Sequence, residues 1–255
     1  MYNSIQDTLI IGKKVIYLPS CHSTNDIAAE IVHAGLFTEG TVVITDNQVK
    51  GRGQRGTTWL ANPGENLTFS VILTPDFLSV SDQFLISEIA ALAVREYVAG
   101  YLKDVKVKWP NDVLTNKKKL CGILIENAIQ GSKLTNSVIG IGLNVNQMRF
   151  QNGRATSIAA ETGRSFLLTE EFPKLLGCLD ALYIRLKALS GAQAIRETYL
   201  SHLYGYDHEV PVKYQGQNRY AKVAYVTPQG LLGLKLADQE EVVEVGMKEI
   251  EWLMD

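Results

Sequence analysis

Cysteine is scarce in this 255-residue chain. Cys21, Cys121 and Cys178 are an odd number, widely separated, with no C-x-x-C pair and no histidines at zinc spacing. That excludes a disulfide framework and a cysteine-built metal centre, and it fits a reducing compartment. The four histidines, His22, His33, His202 and His208, show neither ligand spacing nor a nucleophile partner, so no chemistry is assigned to them. An excess of either charge is also lacking. Twenty-five basic residues face 27 acidic ones, for a formal net charge of -2, so no global field draws the chain to nucleic acid or to an anionic membrane. Any anion recognition has to be local. No apolar run approaches the ~20 residues that span a bilayer, and the opening MYNSIQDTLIIGKKV has no secretion-signal pattern. A cytoplasmic protein of one or two domains is expected, because single domains run to about 250 residues.

What is there reads as alternating structure. STNDIAAEIVHAG has a polar start, apolar residues at helical spacing and Gly35 as a stop, which predicts a helix capped by Ser23 with Asp26 three places on. TVVITD and NLTFSVILT predict strands, and the long segment between them is rich in Gly, Arg, Asn and Pro. Residues 81–102 carry a helical apolar pattern. VKVKW, KLCGILIEN and NSVIGIGLNVN follow as strands, and 169–200 returns to helix. After residue 203 come four short β-patterned runs, HEVPVKY, NRYAKVAYVT, GLLGLKLA and EVVEVG. The expectation is an α+β domain over 1–202 and a small β-barrel or sandwich over 203–255.

The segment GRGQRGTTW, Gly51 to Trp59, satisfies G-x-G-x-x-G through Gly51, Gly53 and Gly56, and Asp76 lies twenty positions after the last glycine. A dinucleotide turn, however, needs a helix after its glycines, because the pyrophosphate sits on that helix's exposed N–H groups. TTWLANPGEN cannot supply one. The loop offers instead Arg52 and Arg55, whose guanidinium forks bind phosphate or carboxylate, and Trp59, whose indole can stack on a base. That composition suits a nucleotide being joined to an anionic partner.

Other constellations are consistent with this. In VKVKWPND, alternation sets Lys106 and Lys108 on one strand face, and Pro110 turns the chain so that Asn111 and Asp112 return toward Lys108. In NKKKLCGILIE the lysines read as a hairpin turn, but Lys119 stands just before a buried strand and Gly122 leaves room there for another molecule. IGIGLNVN is a core strand whose Asn144 carries an amide able to read a base edge.

Together and in this order, STND at 23–26, Gln48, GRGQRGTTW, KWPND at 108–112, KLCGILIE at 119–126 and GIGLNVN at 140–146 resemble the biotin protein ligases. The resemblance implies a central mixed β-sheet flanked by helices, like a class II synthetase, with an SH3-like C-terminal barrel. It implies that biotin and ATP, with Mg2+, form biotinyl-5′-adenylate and that a lysine of a biotin carboxyl carrier protein then takes the acyl group. By resemblance Lys119, Arg52 and Arg55 are the catalytic cations. Ser23, Thr24, Asn25, Gln48, Gly51, Arg52, Arg55, Lys119 and Gly122 match the biotin side. Gly51, Arg52, Gly53, Gln54, Arg55, Gly56, Trp59, Lys108, Asn111 and Asn144 match the adenylate side. No metal-ligating residue is implied. Homodimers occur in the family. Members that repress transcription carry an N-terminal winged helix, and the roughly twenty residues before STND are too few for one, so no DNA binding is expected. Two departures stand out: Gln54 and Thr57 occupy positions that are basic in many relatives, leaving the loop with less charge. Cys121 replaces a smaller residue before the pocket glycine.

Three alternatives stay open at this level: a lipoate or octanoate ligase of similar fold, a nicotinamide or flavin oxidoreductase, and a vitamin-binding module without catalysis. The resemblance also implies that the 51–65 loop orders over an anhydride that water would otherwise destroy. Proteolytic nicking in 51–65 is therefore expected to slow when biotin and ATP are added, and equal rates with and without them would count against such a lid.

Overall fold

A computed structural model describes residues 2–151 and 153–254, apart from the side chain of Arg55. A seven-stranded sheet is built from β1 (Val15–Leu18), β2 (Thr41–Thr45), β3 (Leu67–Leu73), β4 (Val105–Lys108), β5 (Asp112–Thr115), β6 (Lys118–Gln130) and β7 (Lys133–Leu143). Its order is β1-β2-β3-β7-β6-β5-β4, with β1 parallel to β2 and every other neighbour antiparallel. The helices are α1 (Thr24–His33), α2 (Phe84–Ala99), α3 (Ile158–Thr162), α4 (Leu168–Lys187) and α5 (Gly191–Ser201). Strands β8 (Val210–Tyr214), β9 (Gln217–Val226), β10 (Leu232–Leu236), β11 (Val242–Val245) and β12 (Ile250–Trp252) form a second, antiparallel sheet in the order β11-β10-β9-β8-β12. The mixed α+β architecture expected from the sequence is the one observed. No helix among the described residues is long and apolar enough to cross a membrane.

Two-residue alternation sorts the large sheet into two faces. Val42, Ile44, Leu67, Phe69, Val71, Ile139 and Ile141 join the main core, which also takes in α2, α4 and α5. Val43, Ile72 and Val138 face the other way, under Ala28, Ile27 and Ile31 of α1. Further along this second face the same alternation delivers Ser70 and Thr68 from β3, Gly140 and Gly142 from β7, and Gly122, Leu124 and Glu126 from β6. One sheet face is thus apolar beneath α1 and turns polar and glycine-rich beyond it, which is where a binding site can form.

The sequence patterns missed the short strands β1, β5 and β12 and the five-residue helix α3, so the C-terminal sheet has five strands where four were expected. Helix α1 begins where expected, with Ser23 extended at the N-cap, but its hydroxyl makes no capping bond. Gln48 Oε1 takes the first-turn donor instead, accepting from Thr24 N at 2.7 Å and Thr24 Oγ1 at 3.1 Å. The helical 169–200 region divides between α4 and α5, with a break at 188–190.

The second sheet is joined to the first through one continuous core that includes Val107, Val113, Tyr204, Val212, Val223 and Leu234. Two indoles reinforce the junction: Trp109 Nε1 donates to Gly230 O at 3.1 Å, and Trp252 Nε1 donates to Trp109 O at 3.2 Å.

Glu88 on α2 is 2% exposed, its Oε2 has no partner among the described residues, and neither has the hydroxyl of Tyr199. Burial pushes the Glu88 carboxyl up to about 8, against a weaker opposing pull from Arg196. Between pH ~4.5 and ~8 the folded state therefore holds a proton that the unfolded chain has released, and stability falls as pH rises. Glu88→Gln is expected to stabilise the fold at pH 7 by about 2–3 kcal/mol, with the gain vanishing toward pH 4.5. Chemical denaturation from pH 5 to 9 measures it; a pH-independent difference would show that Glu88 is ionised in the native state.

Candidate active site

Two cavities open side by side on the polar half of the α1 face. The first, about 260 Å³, is lined by Ser23, Thr24 and Asn25 of the α1 N-terminus, by Gln48, by the 51–59 hairpin and by the glycine floor of β6 and β7. The second, about 600 Å³, is lined by Gly51, Lys108, Lys117, Asn144, Arg149 and Arg154, and by Trp252 and Met254 from the C-terminal sheet. Gln48, Thr58, Trp59, Asp112 and Lys119 line both and form the wall between them.

The inner end of the first cavity is a closed hydrogen-bond network. Ser70 Oγ donates to Asn25 Oδ1 at 2.6 Å and lies 2.8 Å from Thr24 Oγ1, while Asn25 Nδ2 reaches Leu124 O at 3.3 Å and Glu126 Oε2 at 2.8 Å. Glycines make this possible. A Cβ at Gly140 would lie 2.2 Å from Asn25 Oδ1, and one at Gly142 would lie 2.4 Å from Trp59 Cε2. Gly122 and Gly142 are paired across β6 and β7, so together they form a flat bed for the indole. The two glycines of IGIGLNVN, Gly140 and Gly142, are places where the sequence leaves room for a ligand, and in the structure Asn25 and Trp59 occupy that room. Ser70 was not singled out from the sequence, because it reads there as an ordinary strand residue.

Lys119 reaches the wall through an irregularity in pairing. Strict alternation would put it on the same face as Cys121, inside the core. Register instead jumps from Val113↔Cys121 to Leu114↔Lys119, so Leu120 is an extra residue in β6 and Lys119 emerges on the Gly122 face. Its backbone is fixed there by Lys119 N donating to Arg154 O at 2.8 Å and Thr156 N donating to Lys119 O at 2.9 Å. Its Nζ lies 2.6 Å from Asp112 Oδ1 and 5.6 Å from the Trp59 ring centre.

The turn after Lys108, with a cis Trp109–Pro110 bond, returns Asp112 opposite Lys108 at 2.8 Å. Asp112 therefore sits between two ammonium groups. Burial raises its pKa, but Lys119 and then Lys108 override this and hold the carboxyl below its usual range. In the second cavity, Asn144 Nδ2 donates to Thr156 O while its buried Oδ1 has no partner, and Trp59 Nε1 is likewise unpartnered among the described residues. Both are polar atoms for which a ligand can complete the bonding.

The hairpin is held by Trp59 N donating to Gly51 O and Gly53 N donating to Thr57 O, with an Arg52↔Thr58 bridge. Arg52 departs from its expected place facing a bound anion. Its guanidinium forks onto Glu126 at 3.0 and 2.8 Å and reaches Asp26 at 2.6 Å. The side chain of Arg55 lies outside the described residues. Of the residues expected on the adenylate side, Arg52, Gly53, Gln54 and Asn111 line the first cavity, Gly51, Lys108 and Asn144 line the second, and Trp59 lines both. Gly51, expected on both sides, is absent from the first cavity, and Gly56 lines neither. Asn111 instead braces the turn, its Nδ2 donating to Ile123 O at 2.7 Å. Cys121 is fully buried in the core and borders neither cavity.

Comparison with known proteins gives this arrangement a family. Residues 17–144 match the biotin/lipoate A/B protein ligase family, and the chain belongs to it. Its relatives lie on the biotin side: the bifunctional ligase/repressor BirA of Bacillus spizizenii is 30% identical over 251 residues, 96% of this chain and 75% of that protein. The biotin--[acetyl-CoA-carboxylase] ligase of Paracoccus denitrificans is 35% identical over 106 residues, 40% of this chain and 43% of that protein. A solved structure of the biotin protein ligase from Aquifex aeolicus, in complex with biotin and ATP, superposes with a TM-score of 0.74 at 25% identity. It covers 95% of this chain and 100% of its own.

Gly142→Ala is expected to unseat the Trp59 indole while shifting the melting temperature by no more than about 4 °C, since the hairpin is peripheral to the core. Acrylamide quenching of tryptophan emission should rise. Unchanged quenching would mean that the indole does not rest on the glycine bed.

Proposed function

We infer that this chain is an ATP-dependent biotin protein ligase. The observation that carries the reading is the common wall: two cavities, one ending in a closed amide and hydroxyl network and one rimmed by cations, meet at Trp59, Asp112 and Lys119. A carboxylate in the first and a triphosphate in the second would come together at that wall.

The first cavity takes biotin. The ureido head requires paired donors and acceptors when buried, and Thr24, Asn25 and Gln48 supply both kinds, with Ser70 behind them fixing Asn25 and Thr24. Its rings lie against the Trp59 indole that rests on the glycine bed, and its carboxylate reaches Lys119. The second cavity takes the nucleotide, with Asn144 Oδ1 accepting from the exocyclic amine and Lys108 beside the phosphates. One carboxylate oxygen bonds to the α-phosphorus as the bond to the β-phosphate bridging oxygen breaks, and pyrophosphate leaves. Two anions repel on approach, so preorganised cations lower the barrier. Lys119 serves both partners, and Asp112 aims Lys119 and Lys108 without entering the reaction. In the second step an uncharged lysine amine of the acceptor attacks the acyl carbon, and AMP departs.

Mg2+ does not fit a protein-held site here. Among the described residues lining the two cavities Asp112 is the one carboxylate, and it is matched to two lysines; no metal-holding cluster of acids, histidines or cysteines occurs among the described residues. The ion belongs to the nucleotide it accompanies. The acceptor is a biotin carboxyl carrier domain of a biotin-dependent carboxylase, in keeping with the name of the Paracoccus relative. Residues 1–202 form the catalytic part, and the 203–255 part closes the nucleotide cavity through Trp252 and Met254.

Incubation with biotin, ATP and Mg2+ is expected to yield biotinyl-adenylate and its transfer to an acceptor domain, and Lys119→Ala should slow adenylate formation by roughly 10²- to 10³-fold. Pyrophosphate exchange into ATP that depends on lipoate and not on biotin would overturn the substrate assignment, and unaltered formation in Lys119→Ala would overturn the role of the lysine.

A further inference from the structure

Arg52 presents a problem of charge. It stands in a glycine hairpin beside two anion-binding cavities, yet its guanidinium is matched by two carboxylates, one from α1 and one from β6. The contacts are geometrically specific. Nη1 and Nη2 address the two oxygens of Glu126 separately, the fork-to-fork pairing that distinguishes a positioned ion pair from a chance one, and Nη2 also meets Asp26. The imidazole of His22 also lies near Asp26, its Nε2 3.7 Å away.

The hairpin is attached to the body of the protein at two kinds of point. At its base Trp59 lies on Gly122 and Gly142. On its outer side Arg52 ties it to Asp26 and Glu126, with the first cavity between the two attachments. Glu126 has a second bond that the hairpin does not need: the same Oε2 that meets Arg52 Nη2 at 2.8 Å accepts from Asn25 Nδ2 at 2.8 Å. Asn25 belongs to the polar end of the first cavity. One carboxylate oxygen therefore touches both the closing segment and the ligand-facing amide.

We propose that Arg52, Asp26 and Glu126 form a salt latch that holds the 51–59 hairpin shut over the first cavity, with Glu126 the positioning residue that couples closure to occupancy of Asn25. The proposal rests on the ligase reading for what the latch retains, the acyl-adenylate, while the latch itself stands on the ion-pair geometry. A ligand that orients Asn25 toward itself changes the bonding of Glu126, and by linkage a closed hairpin changes the affinity of the cavity. All three side chains are half-exposed, so the pairing is modest and yields to salt, as a gate that must reopen for the acceptor requires.

The test uses the full chain and the variants Glu126→Gln, Glu126→Asp and Asp26→Asn. With biotin, ATP and Mg2+ but no acceptor, steady-state AMP release reports escape and hydrolysis of the intermediate, and single-turnover quench reports its formation. Asp26→Asn is expected to raise acceptor-free AMP release about two-fold with formation changed by less than about two-fold, and Glu126→Gln, which also frees Asn25, to raise the ratio of release to formation about five-fold. Glu126→Asp, which keeps the charge, should return escape toward the original rate. Escape should also increase with sodium chloride in the original chain and lose that dependence in Glu126→Gln. Without any ligand, tryptic cleavage inside 51–59 should be faster in Glu126→Gln and Asp26→Asn. Unchanged escape and unchanged cleavage in both neutral variants overturn the latch, as does a loss of formation in Glu126→Gln with escape unaffected, which would place Glu126 in ligand binding alone. An original chain that forms no adenylate refutes the ligase reading instead, and the cleavage rates then decide the latch by themselves.

Discussion

The site is organised around one buried carboxylate. Asp112 has two ammonium groups within 2.8 Å, and a carboxylate taken this far out of water is tolerable only when it is paired. Its pairing fixes three things at once. Lys108 is held at the end of β4, Lys119 is drawn to the wall of both cavities, and the turn between β4 and β5 is fastened to the start of β6. Removing either lysine leaves a neutral pair and forfeits the surplus positive charge, so the two cations and the turn act as a unit. The net charge of the trio is +1, a surplus of positive charge at the wall between the two cavities.

Around that trio, alternation along the strands performs a division of labour. Odd positions of β3 and β7 fill the core beneath α2 and α4, and the even positions supply the hydroxyl and the glycines of the cavity floor. The floor is defined more by missing atoms than by groups present. Where Gly122, Gly140 and Gly142 have no side chain, Asn25 and Trp59 occupy the space, and each brings a polar atom to the cavity edge.

Much of this was legible in the sequence because it rests on local chemistry. The glycine-arginine segment had no helix after it, the proline turn brought Asp112 back toward Lys108, and strand periodicity assigned β2, β3, β6 and β7. Other features depend on contacts distant in the chain. The capping role expected of Ser23 passed to Gln48, 25 residues away, because the carboxamide reaches Thr24 N. Lys119 is aimed by the extra residue at Leu120, and a bulge is set by pairing with a neighbouring strand, not by the strand's own pattern. Arg52 read as a free cation because its partners, Asp26 of α1 and Glu126 of β6, are far from it in the chain and meet it only once α1 has packed on the sheet. The four-residue strands β1 and β5 show no apolar–polar alternation of the kind that revealed β4, which is equally short.

The two indoles at the junction of the sheets give the chain's end a part in the site. Trp252 donates to the carbonyl of Trp109, one residue from Lys108, and also lines the larger cavity, while Trp109 donates back to Gly230. The last strand is therefore not an independent module that could be exchanged for another small barrel of the same fold. Its sequence is constrained by the turn it braces beside Lys108, so fusion, grafting or shortening at this end acts on the larger cavity as directly as a change within it.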